Sequence, residues 1–156
     1  TGLGPTQGQF AWSAGALTFP ITGDGSGWAA FNAWAAGLPA GQSGPSDDVD
    51  ADGVSNLLEF VLGTDATRSG PEAVSLVKVT AGGIEYPAIR YPRRIARGDV
   101  GIEVWCARAL DFATSLGSVD VSVTPQGDGT EIVLVRSAVP FTQEPRQFLR
   151  LFVTLP

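Results

Sequence analysis

The chain has no histidine, no methionine and a single cysteine among its 156 residues. Without histidine, Ser-His and Cys-His nucleophilic systems and the usual zinc sites drop out. Cys106 alone allows no intrachain disulfide; it alternates with Val100, Ile102 and Val104, which reads as a small buried residue and not a nucleophile. Charged side chains are sparse at 17% and mostly acidic, with a net charge of −6 and a pI near 4.4. That sign argues against nucleic acid or an anionic membrane as partner and suits a protein that holds divalent cations. No apolar run approaches the roughly 20 residues of a bilayer span. No signal peptide is visible, and a chain without methionine reads as processed or partial. Gly-x-Gly runs such as Gly25-Ser26-Gly27 lack the strand–turn–helix setting of a phosphate site.

What is present is enough apolar material, 44%, for a folded core, with 20 glycines and 11 prolines that favour turn-rich β architecture. The most informative stretch is Asp48-Val49-Asp50-Ala51-Asp52-Gly53-Val54-Ser55-Asn56-Leu57-Leu58-Glu59. Oxygen-bearing side chains stand at the first, third, fifth, ninth and twelfth positions, with glycine at the sixth, which is the ligand spacing of an EF-hand-type calcium loop. Calcium is a hard cation taking six to eight oxygens, so closely spaced carboxylates can wrap it from one side. Asp48, Asp50 and Asp52 are expected to do so, with Gly53 making the turn and Val54 offering its carbonyl. Asn56 would act directly or through water, and Glu59 would close the shell from the following helix. The plain alternative is an acidic turn capping a helix, but a cap needs one acid and not four in register.

The run Asp-x-Asp-x-Asp-Gly-x-Ser-Asn-Leu-x-Glu-Phe-x-Leu-Gly-Thr-Asp resembles the calcium repeats called thrombospondin type 3 and, more loosely, dockerin loops. It is also similar to a module near the C-terminal ends of many secreted bacterial proteins. There the loop precedes a short all-β domain with an Arg-Arg pair, here Arg93-Arg94. The resemblance spans roughly residues 28–156 and implies metal-binding roles for Asp48, Asp50, Asp52, Asn56 and Glu59. The loop occurs once, and Ser55 stands where paired EF-hands place a β-branched apolar residue, so a lone structural site fits better than a signalling pair.

Around this loop the chain divides into three expected parts. Residues 1–24 form a polar leader and an apolar strand or arm, in which Phe10 and Trp12 share one face and Leu17, Phe19 and Ile21 another. That stretch either pairs within its own sheet or adds to the sheet of a neighbouring copy. Residues 25–70 form a helix–calcium loop–helix unit: an Ala-rich helix with Trp28, Phe31 and Ala35 on one side and Ser26 as N-cap, then a second from about Ser55 to Leu62 ending at Gly63. Asp65 is expected to cap or to be solvated.

Beyond residue 71 the period changes to two, predicting strands at 74–80, 84–91, 100–108, 119–124, 130–137 and 147–154. Pro87 marks an edge or a bulge. Val119, Val121 and Val123 alternate with polar residues as on a strand with one wet face, and residues 148–153 are apolar on both sides as in a central strand. The expected fold is mainly β with a small α part: the helix–loop–helix unit attached to an antiparallel sandwich of immunoglobulin-like or jelly-roll type.

Functionally this predicts a secreted, non-enzymatic, calcium-binding module of the cell surface or extracellular space, where calcium is millimolar. Its role would be display, attachment or assembly, with copies of itself as partners and contacts through Phe10, Trp12, Leu17, Phe19, Arg93 and Arg94. The cluster of Arg90, Arg93, Arg94 and Arg97 around Tyr91-Pro92 reads more simply as a solvated hairpin rim in so acidic a chain. The alternative function is an accessory carbohydrate-binding domain of a larger hydrolase, with Trp105 and Tyr91 as its candidate platform. A carboxylate pair for glycoside hydrolysis stays open, since it needs only closeness in space.

Overall fold

A computed structural model describes residues 25–155. The expected N-terminal strand, with Phe10, Trp12, Leu17 and Phe19, lies outside the described residues. The chain runs α1 (Ser26–Ala35), α2 (Asn56–Leu62), β1 (Ser75–Ala81), β2 (Ile84–Arg94), β3 (Gly101–Ala107), β4 (Ser118–Pro125), β5 (Thr130–Ser137) and β6 (Phe148–Thr154). It is mainly β, with two antiparallel sheets and two helices. One compact unit holds the described residues up to Pro71 with Ala96–Gly101 and the residues from Val153; the other holds Glu72–Ile95 and Ile102–Phe152.

In the first unit, Phe31 and Ala35 of α1 are buried, as are Leu57, Phe60, Val61 and Leu62 of α2. The Phe60 ring meets Phe31 edge-on at 5.7 Å between centroids and tilts against Trp34 at 5.5 Å. A seven-residue helix has little stability alone, so this aromatic contact is what holds α2 in place. Gly63 ends α2 in the left-handed conformation at φ 78°, as its place in the sequence requires. The start of α1 differs from expectation. Ser26 is the first helical residue and Gly25 the cap; the Ser26 hydroxyl accepts the Asp99 amide at 3.0 Å instead of capping. The Gly27 amide donates to the Asp99 carboxylate, and a Cβ at Gly27 would collide with Asp99 and Val100.

In the second unit the four-stranded sheet runs β1-β2-β5-β4, and β3 pairs with β6. Ile89 faces Val135 and Tyr91 faces Val133 across the β2–β5 ladder, all four buried. On the same face, the Arg93 guanidinium binds Glu131 at 2.6 Å. Three strand expectations need correction. β2 is an inner strand despite Pro87, because its pairing with β5 begins only at Ala88; Pro92 likewise lies past the β1 ladder, which ends at Arg90. Each proline therefore sits where β2 has one neighbour and no amide is missed. In β4 a bulge between Asp120 and Ser122 breaks the alternation, so Val119 and Val123 point to opposite faces and every residue of the strand is exposed. Among the described residues β6 is not central: it has one strand partner, β3, and on one of its faces Phe152 stacks on Trp105 at 5.0 Å.

Candidate metal centre

Three side-chain carboxylates two residues apart repel one another unless something holds them, and here the loop backbone does so. Asp48 Oδ2 accepts the Gly53 amide at 2.9 Å, Asp50 Oδ1 the Asp52 amide at 3.1 Å, and Asp52 Oδ1 the Val54 amide at 2.9 Å. These bonds need a tight local curl, which Gly53 supplies at φ 91° and Ala51 at φ 60°. Ala51 is one of two described non-glycine residues in that region, so the curl costs strain at a residue that would avoid it. As a result, one oxygen each from Asp48, Asp50 and Asp52 lies within 4.8 Å of the others. The three can hold a metal ion.

The loop's second half is built from Asn56 and Glu59, both buried on α2. Asn56 Nδ2 donates to the carbonyls of Gln42 at 2.8 Å and Gly44 at 2.9 Å, while its backbone amide donates to Asp47 at 2.8 Å. Both amide hydrogens are thereby used, which fixes the side chain with its carbonyl oxygen on the other side. Glu59 Oε1 accepts the Thr64 hydroxyl at 3.3 Å.

Four buried side-chain oxygens of this loop then have no hydrogen-bond donor: Asp48 Oδ1, Asp50 Oδ2, Asn56 Oδ1 and Glu59 Oε2. They are the first, third, ninth and twelfth positions of the run, the side-chain ligand places of the calcium pattern. Leaving a buried acceptor unpartnered costs about 1–3 kcal/mol each. A cluster made only of acceptors, with no donor directed at it, is chemically suited to a hard cation and not to an anion or a neutral ligand.

The electrostatics agree with the geometry. Burial pushes the Glu59 carboxyl up to about 7 from 4.5, with the negative charges of Asp50, Asp52 and Asp48 adding to the effect and the Thr64 hydrogen bond opposing it. Asp50 is also raised, first by desolvation and then by Asp52 and Asp48, against the lowering effect of the Asp52 amide. Glu59 stands outside the 4.8 Å group of three, yet it feels all of them. Val54, expected to lend its carbonyl, gives its amide to Asp52.

Other sequence candidates land elsewhere. Asp65 turns its Oδ1 to the Thr67 amide at 3.0 Å and hydroxyl at 2.7 Å, and the hydroxyl bond chiefly holds its carboxyl below the usual range. Arg93 is committed inside its own sheet by two bonds to Glu131, from Nη2 at 2.6 Å and Nε at 2.8 Å, and is not a free contact residue. Arg94 is half-buried, and burial lowers its pKa. Trp105 has one ring face against Phe152 and gives its indole N–H to Glu103 at 3.1 Å; Tyr91 is 2% exposed, so the pair forms no open aromatic platform. The Cys106 thiol is fully buried and pushed up by desolvation, which removes it as a nucleophile.

Two contributors escaped the sequence reading. The loop at residues 42–45 anchors Asn56 and, through the Pro45 carbonyl, the Leu57 amide at 3.1 Å; the Ser69 hydroxyl reaches the Asp50 carbonyl at 3.3 Å. Backbone carbonyls leave no mark in a sequence. Comparison of the chain with protein-family models, curated proteins and solved structures yields no match.

Proposed function

We propose that this protein is a calcium-braced structural module that works outside the cytoplasm in surface display, attachment or assembly. The observation that carries the reading is the set of four buried, donor-free oxygens on Asp48, Asp50, Asn56 and Glu59. The other oxygen of each carboxylate is held by a donor within the loop or at the α2 end, and the Asn56 amide by the Gln42 and Gly44 carbonyls. Asp52 adds a further carboxylate within 4.8 Å of Asp48 and Asp50.

A bound calcium ion would supply the positive charge that this ring of oxygens lacks, and would draw the acidic loop onto the first turn of α2. Magnesium is the poorer candidate, since it demands near-octahedral geometry and keeps much of its water. Asn56 and Glu59 sit on the same short helix as Phe60, so whatever orders the oxygens also orders the aromatic contact with Phe31 and Trp34. The loop is single, and its expected partner is a hard divalent ion at the millimolar level found outside cells.

Calorimetric titration with calcium tests this directly, with Asp50→Ala as the control. A single site in the wild-type chain and an affinity lower by about tenfold or more in the variant, ~1.4 kcal/mol, support the reading. A flat titration of the wild type with both calcium and magnesium ends it.

A further inference from the structure

Asn56 has a second part to play that ligand spacing does not ask of it. Its side chain is fully buried and carries two ends with different fates. Oδ1 has no donor, while both hydrogens of Nδ2 go to the carbonyls of Gln42 at 2.8 Å and Gly44 at 2.9 Å. Residues 42–47 depend on those bonds. They contain neither helix nor strand, and not one of them is buried. Part of their bonding is local: the Gln42 amide reaches back to Pro39 at 3.1 Å, and a turn closes on itself between Gly44 and Asp47. What fastens the segment to α2 comes from two residues, Asn56 and Leu57. Beside the two bonds from Nδ2, the Asn56 amide donates to the Asp47 carbonyl at 2.8 Å and the Leu57 amide to the Pro45 carbonyl at 3.1 Å. A surface segment without an apolar anchor opens when such bonds are given up.

We propose that the ion site controls this segment: calcium held at Asn56 Oδ1 latches residues 42–47 onto the start of α2, and loss of the ion releases them. This rests on the calcium reading above and deepens it by giving the site a surface to regulate. Two physical links carry the coupling. The first is electronic. Oxygen and nitrogen of one planar amide share electrons, so a cation on Oδ1 makes the Nδ2 hydrogens stronger donors to Gln42 and Gly44. The second is geometric. Without the ion, Oδ1 is a buried acceptor with no donor, and turning the amide toward water relieves that cost. The same turn takes both hydrogens off the Gln42 and Gly44 carbonyls. Because opening then requires giving up the ion, bound calcium lowers the opening equilibrium by the factor 1 + [calcium]/Kd, about 100-fold at 100 times Kd. The surface so ordered is polar, with Gln42, Ser43 and Ser46 exposed on it.

Amide hydrogen exchange of the full chain, read residue by residue by NMR along a calcium titration, tests this, with calorimetry on the same samples. The reporters are the Gly44 and Asp47 amides, which donate to Asp47 Oδ2 at 2.8 Å and to the Gly44 carbonyl at 3.2 Å. In the wild type their exchange should slow in step with calorimetric saturation, by about 100-fold at 100 times Kd. Asn56→Asp keeps an oxygen at the ninth position of the loop and removes both Nδ2 hydrogens. It should still bind calcium, while exchange at Gly44 and Asp47 stays fast with or without the ion. A wild type that binds calcium but leaves exchange at these two amides unmoved overturns the latch and leaves the metal reading standing. A wild type that binds no calcium overturns both. Slowing that persists in Asn56→Asp overturns the proposal as well, since the coupling then runs through another residue. The wild-type titration decides the matter even where the variant does not fold.

Discussion

The acidic loop and the Arg93–Glu131 pair deal with buried charge in opposite ways. Across β2 and β5 the guanidinium and the carboxylate neutralise each other inside the chain, at 20% and 15% side-chain exposure, and need nothing from outside. In the loop, the carboxylates of Asp48, Asp50, Asp52 and Glu59 accept from three backbone amides and one threonine hydroxyl. Those donors position the oxygens without matching their charge. One region is thus complete as folded, and the other keeps unpartnered acceptors where a metal ion could sit. The lesson is that a ligand site can be recognised by an imbalance between donors and acceptors that the rest of the same protein avoids.

That contrast can be broken or sharpened by experiment. The largest effect is expected from Phe60→Ala, which removes the ring joining α2 to Phe31 and Trp34 and should cost about 3–5 kcal/mol in the melting of the helical unit. Near-ultraviolet dichroism would report it, and retention of the tryptophan signal would show that α2 is held by something else. Chelation comes next. At a free calcium level of about 100 times Kd the ion contributes about 2.7 kcal/mol, so EDTA should lower the thermal midpoint by several degrees. An unchanged melt would make the two regions alike and remove the comparison.

A subtler pair of outcomes concerns Glu59. Its folded pKa near 7 lies above the ordinary 4.5, so folding favours its protonated form. In metal-free protein this stabilisation is fully present below about 4.5 and is lost as pH rises through about 7, so denaturant midpoints should fall across that window. Saturating calcium should reverse the slope, because binding needs the ionised carboxylate. Glu59→Gln should flatten the metal-free slope and raise the metal-free midpoint by relieving repulsion, while weakening calcium about tenfold or more. A variant that loses stability in the absence of metal would mean that the negative charge is already balanced within the fold.

The smallest effects sharpen the other side. Arg93→Ala leaves the half-buried Glu131 without its partner and should cost about 1–3 kcal/mol. Lys78→Ala breaks an ion pair at 3.3 Å whose side chains are 65% and 55% exposed, and should cost under about 1 kcal/mol. Equal losses in the two variants, read from urea midpoints, would show that burial does not separate them.

The acidic run, the glycine at its centre and all six strands were legible in the sequence because each has a local signature. Alternation marks a strand, Gly63 marks the end of α2, and carboxylates at every second place mark a cation loop. The features that misled were those whose meaning depends on a neighbour. Pro87 argues for an edge only until one knows that β5 begins pairing at Ala88. Val119 and Val123 look like one face until the bulge at Asp120–Ser122 turns them apart. Ser26 looks like a cap until its hydroxyl is found bound to the Asp99 amide, far along the chain.

By itself, then, the sequence determined that the chain would be β-rich, acidic, without histidine chemistry, and would carry oxygen-bearing side chains at the spacing of a calcium loop, because residue type and spacing are enough for these. Only the tertiary structure decided that Asn56 is locked by the Gln42 and Gly44 carbonyls, that four oxygens are buried without donors, and that Arg93 is spent on Glu131. Those facts are made of burial and of contacts between distant segments, and backbone groups, which supply half of each contact, are the same at every position of a sequence.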